Sequence, residues 1–456
     1  MTMFSRELAE KYNVASPRYT SYPTMPYWDA SLFDTDAWKR SVQLSFNQTN
    51  DQGGISLYIH LPFCENLCTY CGCNTRITKN HAVEQPYINA VLKEWQMYIA
   101  ILPDVPTISE IHLGGGTPTF FSPANLKKLI SGILSYANVS AGAEFSFEGH
   151  PANTTTEHLQ TLYDLGFSRL SLGIQDFDPM VRFIINRDQS FEQVMHVTAE
   201  ARRIGYTSIN YDLIYGLPLQ TVEGLISTVQ MVAQLSPDRI AFYSYAHVPW
   251  IKPGQRRFTE SDLPNAFTKS KLYEVGRSLF ATYGYHEIGM DHFALPDDDL
   301  CIAQASGTLH RSFMGYTSQH TQLLIGLGVS SISDSGYAFA QNVKMVEEYL
   351  DIVNKGELPV FKGHVLTADD LIIRKHISNI MCKGQTNWNH HSEPCTPLLE
   401  GIERLGPVVA DSLIELKDWG LKVTPLGKRF LRNICMAIDA RLWADKPTTQ
   451  LFSMSI

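Results

Sequence analysis

Four cysteines fall within ten residues of this chain, Cys64, Cys68, Cys71 and Cys73 in the run HLPFCENLCTYCGCN. Cys64, Cys68 and Cys71 have the CxxxCxxC spacing that can hold three corners of one [4Fe–4S] cube, leaving the fourth iron without a protein ligand. An open iron can chelate the amino and carboxylate groups of S-adenosylmethionine and pass it an electron. That electron breaks the sulfonium bond and yields a 5′-deoxyadenosyl radical. Other thiol chemistries fit less well. Structural zinc sites usually show two separated CxxC pairs, unlike one compact loop with a three-residue first gap. Ferredoxin runs are spaced CxxCxxC or CxxxxCxxC and sit in small folds. A disulfide needs an oxidising compartment, to which nothing else in the chain points.

Further polar groups could serve such a cofactor. In Gly114-Gly115-Gly116-Thr117-Pro118 the glycines let bare backbone N–H and C=O groups approach a ligand, although a tight turn without a ligand reads the same way. Glu148 ends an apolar run, where a carboxylate is costly unless paired; it could bond an amino group or a ribose hydroxyl, or form an internal salt bridge. Arg187 can hold a carboxylate with two parallel bonds, and Gln175 and Asp212 can fix hydroxyls. Tyr58 and Tyr70 could be core or adenine-stacking rings. His247, His292 and His310 lack the i, i+4 spacing of metal ligands, so structural histidines are expected there. Arg256, Arg257 and Arg311 are candidates for substrate carboxylates or ordinary surface cations.

From about residue 51 to 245 one phrase repeats: a short apolar run, a polar or glycine-rich turn, then a helical pattern. The runs are ISLYIHLPF, ISEIHLGGG, AEFSFEGHP, RLSLGIQDF, SINYDLIYG and RIAFYSYAH. The stretches between them place apolar residues three and four apart. Strands alternating with helices predict right-handed βαβ units and a parallel sheet. Six units suit a partial (β/α)6 barrel better than a closed eight-unit one. The unusual groups fall at or past the C-terminal ends of these strands: the cysteine loop, GGGTPT, Glu148, Gln175, Asp212, and Ala246 with His247. That rim is where β/α barrels assemble their active sites.

The remaining organisation follows from composition. We expect an N-terminal arm over residues 1–50, a catalytic domain over 51–344 with its barrel core at about 51–250, and a mainly helical, winged-helix-like C-terminal domain over 345–456. That last module has no clustered charge, so packing or substrate covering is expected of it, not DNA binding. A formal net charge of −9 without a basic stripe also argues against nucleic acid, and an anionic substrate would need a local cationic pocket. No run approaches the roughly 20 apolar residues of a membrane span. The first residues lack the apolar core of a secretory signal, so cytoplasmic residence is expected; a monomer is expected as well, on no particular residue pattern.

The ordered set RYTSYPT, YIHLPFCENLCTYCGCN, HLGGGTPTF, RLSLGIQDF followed by NRDQ, INYDLIYGLP, YAHVP, GMDHFALPDDDL, HRSFMGYT and GLGVSSIS resembles the oxygen-independent coproporphyrinogen III oxidase family of radical S-adenosylmethionine enzymes. The resemblance runs from about residue 17 into the C-terminal module. It implies oxidative decarboxylation of two propionates of coproporphyrinogen III to vinyl groups, giving protoporphyrinogen IX. It implies a [4Fe–4S] cluster on Cys64, Cys68 and Cys71, with Cys73 outside the ligand set, and two molecules of S-adenosylmethionine. Tyr58, Gly115, Glu148 and Ile332 would touch the cluster-bound molecule. Tyr70, Gly116, Thr117, Gln175, Arg187, Asp212 and Ala246 would hold the second. A flavodoxin-like reductant would feed the cluster, and the RYTSYPT arm would cover the active site. Gly149-His150-Pro151 departs from the family, whose members often have an acidic residue and a proline after the glutamate. Two rival readings are a haem-binding carrier on the same scaffold and a radical enzyme that opens or methylates haem. The CGC ending and the RYTSYPT arm favour the decarboxylase over the carrier.

Overall fold

In the computed structural model, which describes residues 6–388 and 395–455, each of the six apolar runs is a strand. They are β1 (Ile55–Leu61), β2 (Thr107–Gly115), β3 (Asn138–Gly149), β4 (Phe167–Gln175), β5 (Ser208–Tyr215) and β6 (Arg239–Ser244). All neighbours in this series pair in parallel. The helices between them are α1 (Glu84–Ile101), α2 (Pro123–Leu134), α3 (Thr156–Asp164), α4 (Phe191–Ile204) and α5 (Val222–Leu235). Their starts were written in polar side chains: Ser122, Thr155, Ser190 and Thr221 each cap the first turn of the helix they precede. The inner face of α2 carries Leu126, Leu129, Ile130 and Ile133, the three-and-four spacing of one buried stripe. Six of the seven residues of β1 are buried, as a parallel strand covered on both faces requires.

The sheet is larger than six strands. Leu323–Leu327 adds to β1 in parallel, and Ile332–Asp334, Ala338–Asn342 and Val360–Val365 continue that edge in antiparallel sense. At the other edge His292–Ala294 runs antiparallel to β6, with His286–Ile288 beyond it. The resulting sheet has twelve strands among the described residues, and its two edge strands do not pair, so the barrel is open.

A second core lies outside the barrel. Ala368–Lys383, Gln385–Asn387, Thr396–Glu403, Gly406–Ala410, Ile414–Lys417 and Gly420–Val423 follow one another as helix, strand, helix, helix, strand, strand, and the three strands form a small sheet of their own. Ile373, Ile377, Leu398, Leu405 and Ile434 pack there with Tyr19 and Tyr22 of the N-terminal segment and with Ile288 and Tyr316 of the barrel extension. Among the described residues no helix is long and apolar enough to cross a membrane.

Candidate active site

The cysteine loop leaves β1 and is sewn to the neighbouring strand end before it turns outward. Gly116 N–H donates to Leu61 O at 2.8 Å and Thr117 N–H to Phe63 O at 3.0 Å. Farther along, Thr69 N–H donates to Ile185 O at 2.9 Å and Asn186 Nδ2 to Leu67 O at 2.7 Å, both across to the loop after β4. The loop after β6 supplies the third anchor: Lys252 Nζ donates to Cys73 O at 2.9 Å and Gln255 Nε2 to Tyr70 O at 3.1 Å. All four cysteines are free and line one cavity of about 1020 Å³.

The chemistry of this donor set fits an iron–sulfur cube better than a single ion. Cys64, Cys68 and Cys71 share the cavity wall, and cysteine thiolates are the ligands that hold such cubes. Cys71 is drawn toward its thiolate by a hydrogen bond from Cys73, with the cations Lys252 and Arg187 adding to the effect. The same bond holds Cys73 on the thiol side. Burial pushes Cys64 up to about 12, partly offset by Thr117 Oγ1 at 3.3 Å. A cationic centre in the loop would reverse that desolvation cost.

The glycine turn forms the adjoining wall. Gly115 has φ +113°, and a Cβ there would stand 2.7 Å from Cε1 of His60. At Gly116 a Cβ would stand 2.6 Å from the backbone carbonyl of Pro62, so only glycine lets the two strand ends approach this closely. Glu148 has a partner: its Oε2 accepts from Gly115 N at 3.3 Å, and His112 Nε2 lies 3.4 Å from Oε1. Asp212 receives Asn210 Nδ2 at 2.8 Å and Ser171 Oγ at 3.1 Å; burial, reinforced by the nearby Glu148 charge, pushes it up to about 7. Gln175 takes φ +69°, a left-handed conformation uncommon for a residue with a side chain and concentrated at functional sites.

Arg187 is turned toward the protein more than the sequence suggested. Its Nε donates to Gln189 Oε1 at 3.0 Å, Nη1 approaches Cys68 Sγ at 3.6 Å, and Nη2 bonds the Gly173 carbonyl. The guanidinium therefore faces the cysteine loop, and a ligand carboxylate would have to share these donors.

Of the residues singled out by sequence, Cys64, Cys68, Tyr70, Cys71, Gly115, Gly116, Thr117, Glu148, Gln175, Arg187 and Asp212 all line the one cavity. Tyr58, Ala246 and Ile332 are outside that lining. Tyr58 OH bonds His60 Nδ1 at 3.0 Å and its ring packs against Phe313. The Ala246 carbonyl accepts from Gln255 at 3.2 Å. Ile332 packs beside Trp28, Phe339 and Leu366. Among the cavity residues that escaped the sequence reading as site groups, His150 and Tyr243 stand out. His150 is held neutral, pushed down to about 3 by burial and then by Arg187, with Nδ1 accepting from Ala152 N at 3.1 Å. Its signal was the departure from the usual residues after Glu148. Tyr243 on β6 also faces the cavity, as the strand's alternation could have shown.

Comparison with known proteins agrees with this geometry. The model of the Radical SAM superfamily matches residues 58–232. The oxygen-independent coproporphyrinogen III oxidase of Escherichia coli (strain K12) is 38% identical, with 98% of each chain covered. That of Synechocystis sp. is 36% identical over 99% of this chain and 98% of its own. The solved structure of Escherichia coli coproporphyrinogen III oxidase, described as a radical SAM enzyme, superposes with a TM-score of 0.89 at 35% identity, covering 96% of this chain and 99% of that one.

Proposed function

Since this chain belongs to the oxygen-independent coproporphyrinogen III oxidase family of radical SAM enzymes, we propose that it converts coproporphyrinogen III to protoporphyrinogen IX by oxidative decarboxylation of two propionate side chains. The observation that carries this reading is the convergence of the cysteine loop, the glycine turn, Glu148, Gln175, Arg187 and Asp212 on one cavity in a chain alike from end to end.

Cys64, Cys68 and Cys71 would hold a [4Fe–4S] cluster. Cofactors held there would supply hydrogen-atom abstraction by a 5′-deoxyadenosyl radical, and the oxidative loss of carbon dioxide from a propionate to leave a vinyl group would require a one-electron acceptor from outside this chain. The protein positions and shields. Glu148, steadied by Gly115 N–H and His112, offers a carboxylate to an ammonium group. Asp212 can hold or release a proton near neutrality, since its environment brings it to about 7. The neutral His150 adds no positive charge to that wall of the cavity.

The finer assignment is also part of the proposal. Tyr58, Gly115, Glu148 and Ile332 serve a cluster-bound S-adenosylmethionine, and Tyr70, Gly116, Thr117, Gln175, Arg187, Asp212 and Ala246 serve a second. Two binding equivalents per chain in equilibrium dialysis would support this; one would reject it. A cytoplasmic monomer reduced by a flavodoxin-like protein completes the reading, with residues 1–50 as the covering arm, 51–344 as the catalytic domain and 345–456 as the C-terminal domain.

The test of function is anaerobic reconstitution with iron and sulfide, then incubation with coproporphyrinogen III, S-adenosylmethionine and a reductant. Mass analysis should show a tetrapyrrole that has lost two carboxyl groups. Tight haem retention without such a product would mean a carrier, and a methylated or ring-opened tetrapyrrole would mean a haem-modifying enzyme.

A further inference from the structure

Four cations from distant parts of the sequence act on one carboxylate beside the inner wall of the barrel. The carboxylate is Asp291, and the cations are Arg18 of the N-terminal segment, Lys269 on the helix Ala266–Thr282, Arg311 on the strand His310–Ser312 and Arg432 on the helix Leu431–Ile438. Burial raises the pKa of Asp291, and these four cations pull against it.

Arg18 and Arg432 bond backbone carbonyls, which carry no full charge. Arg18 Nη2 donates to Ser244 O at 2.8 Å and Lys269 Nζ to the next carbonyl, Tyr245 O, at 2.9 Å, so both heads gather at the C-terminal end of β6. Arg432 is buried and anchors the chain by backbone contacts, among them Pro17 O at 3.0 Å and Met454 O at 2.9 Å. Arg311 lies over the ring of Tyr316, 4.5 Å from its centroid, and its Nε and Nη1 are buried without a hydrogen-bond partner among the described residues. Crowding has a measurable sign: Lys269 is brought down to about 7, first by burial and then by Arg18 and Arg432. Buried cations in excess of their counter-charges are costly unless an anion joins them, and guanidinium groups are suited to carboxylates.

The cluster adjoins the candidate active site. Tyr243, which lines the cysteine cavity, feels Arg311, Asp291 and Arg18 together with Asp212, and its OH lies 3.3 Å from His292 Nε2, next in sequence to Asp291. The cations thus stand on the far side of one tyrosine from the cavity that holds the cysteines. Arg18, Lys269 and Arg311 are half-buried as whole residues, while the unpartnered Arg311 nitrogens lie beneath the surface, so a carboxylate reaches those only where the side chain turns outward. In a chain of net charge −9 such a local gathering of positive charge is what an anionic substrate would need.

We propose that Arg18, Lys269 and Arg311 form a binding site for propionate carboxylates of the tetrapyrrole, with Arg432 fixing the N-terminal segment that delivers Arg18. This rests on the substrate reading above and extends it to named residues. Arg311 offers Nε and Nη1, on opposite edges of its guanidinium, either of which can meet a carboxylate, and Arg18 and Lys269 meet another part of the same anionic rim. Asp291 offsets part of the mutual repulsion of the cations when no other carboxylate is present. The N-terminal segment then becomes part of the binding surface as well as a cover.

The test uses the reconstituted holoenzyme and two fluorescent probes, coproporphyrin III and its tetramethyl ester, which differ in carboxylate charge. The unaltered protein should prefer the acid, and the preference should weaken with salt. Arg18→Gln and Arg311→Gln should each reduce affinity for the acid by about tenfold, the loss expected for one charge-assisted hydrogen bond, while the ester is unaffected. Arg311→Lys should recover part of the loss, and the visible spectrum of the cluster should be unchanged in every variant. If the unaltered protein prefers the acid and both glutamine variants retain that preference, the propionates bind elsewhere and the substrate reading stands. Turnover of coproporphyrinogen III with equal affinity for acid and ester would likewise overturn the site alone. Neither turnover nor binding of either probe would overturn the substrate reading, and this site with it.

Discussion

Cys73 donates a hydrogen bond to Cys71 and is held on the thiol side, and we propose that it stands outside the ligand set of Cys64, Cys68 and Cys71. Replacing Cys64, Cys68 or Cys71 by alanine should therefore remove iron and the visible absorption of thiolate-bound iron–sulfur, whereas Cys73→Ala should leave most of that absorption in place. Asp212 makes a second prediction. Its pKa, raised to about 7, lies above the unfolded value near 4, so ionisation removes stability as pH rises between the two and the deficit is complete above the folded value. Asp212→Asn should melt higher than the unaltered apoprotein at pH 8, by a few degrees, and the gain should vanish toward pH 4. Its turnover should nonetheless fall about tenfold or more, as expected when a bonded ligand group is lost. At this scale the meeting of the cysteine loop, GGGT and Glu148 at one cavity was legible because each falls at the end of an apolar run. Arg18, Lys269 and Arg311 were not read as one set, because they lie far apart in sequence and only tertiary packing joins them.

Among the elements, α1 does more than fill the outer layer. Tyr87 OH donates to His60 O at 2.7 Å and receives Val329 N at 2.9 Å, tying the end of β1 to the loop that leads to Ile332. Two turns on, buried Glu94 receives Gly328 N at 2.8 Å, Tyr349 OH at 2.6 Å and Asn342 Nδ2 at 2.6 Å. Glu94→Leu would strand those donors and should cost about 2–3 kcal/mol, seen as a lower denaturant midpoint; Glu94→Gln, which keeps an acceptor, should cost less. The six βα units could be read from periodicity because parallel strands buried on both faces are nearly continuous apolar runs. The short strands Ile332–Asp334 and Ala338–Asn342 could not, since three to five residues give too little pattern to separate strand from glycine-rich loop.

At the scale of the whole molecule, the N-terminal segment is a structural tie between barrel and C-terminal module. Tyr19 is buried with its OH 2.9 Å from Asp439, Tyr22 is 1% exposed, and Arg432 bonds the backbone just before them. The sequence marks RYTSYPT only as part of an arm because its partners come some 400 residues later, and the folded chain shows it enclosed. Tyr22→Ala should cost about 3 kcal/mol, lower the melting temperature and expose residues 6–24 to proteolysis, with the cysteine loop's iron retained. The account as a whole meets its most direct test in stoichiometry. Reconstituted protein turning over coproporphyrinogen III without oxygen should release one 5′-deoxyadenosine for each carbon dioxide, and both should disappear together in Cys64→Ala, Cys68→Ala and Cys71→Ala. Carbon dioxide and vinyl product formed without 5′-deoxyadenosine, or undiminished in those variants, would contradict it.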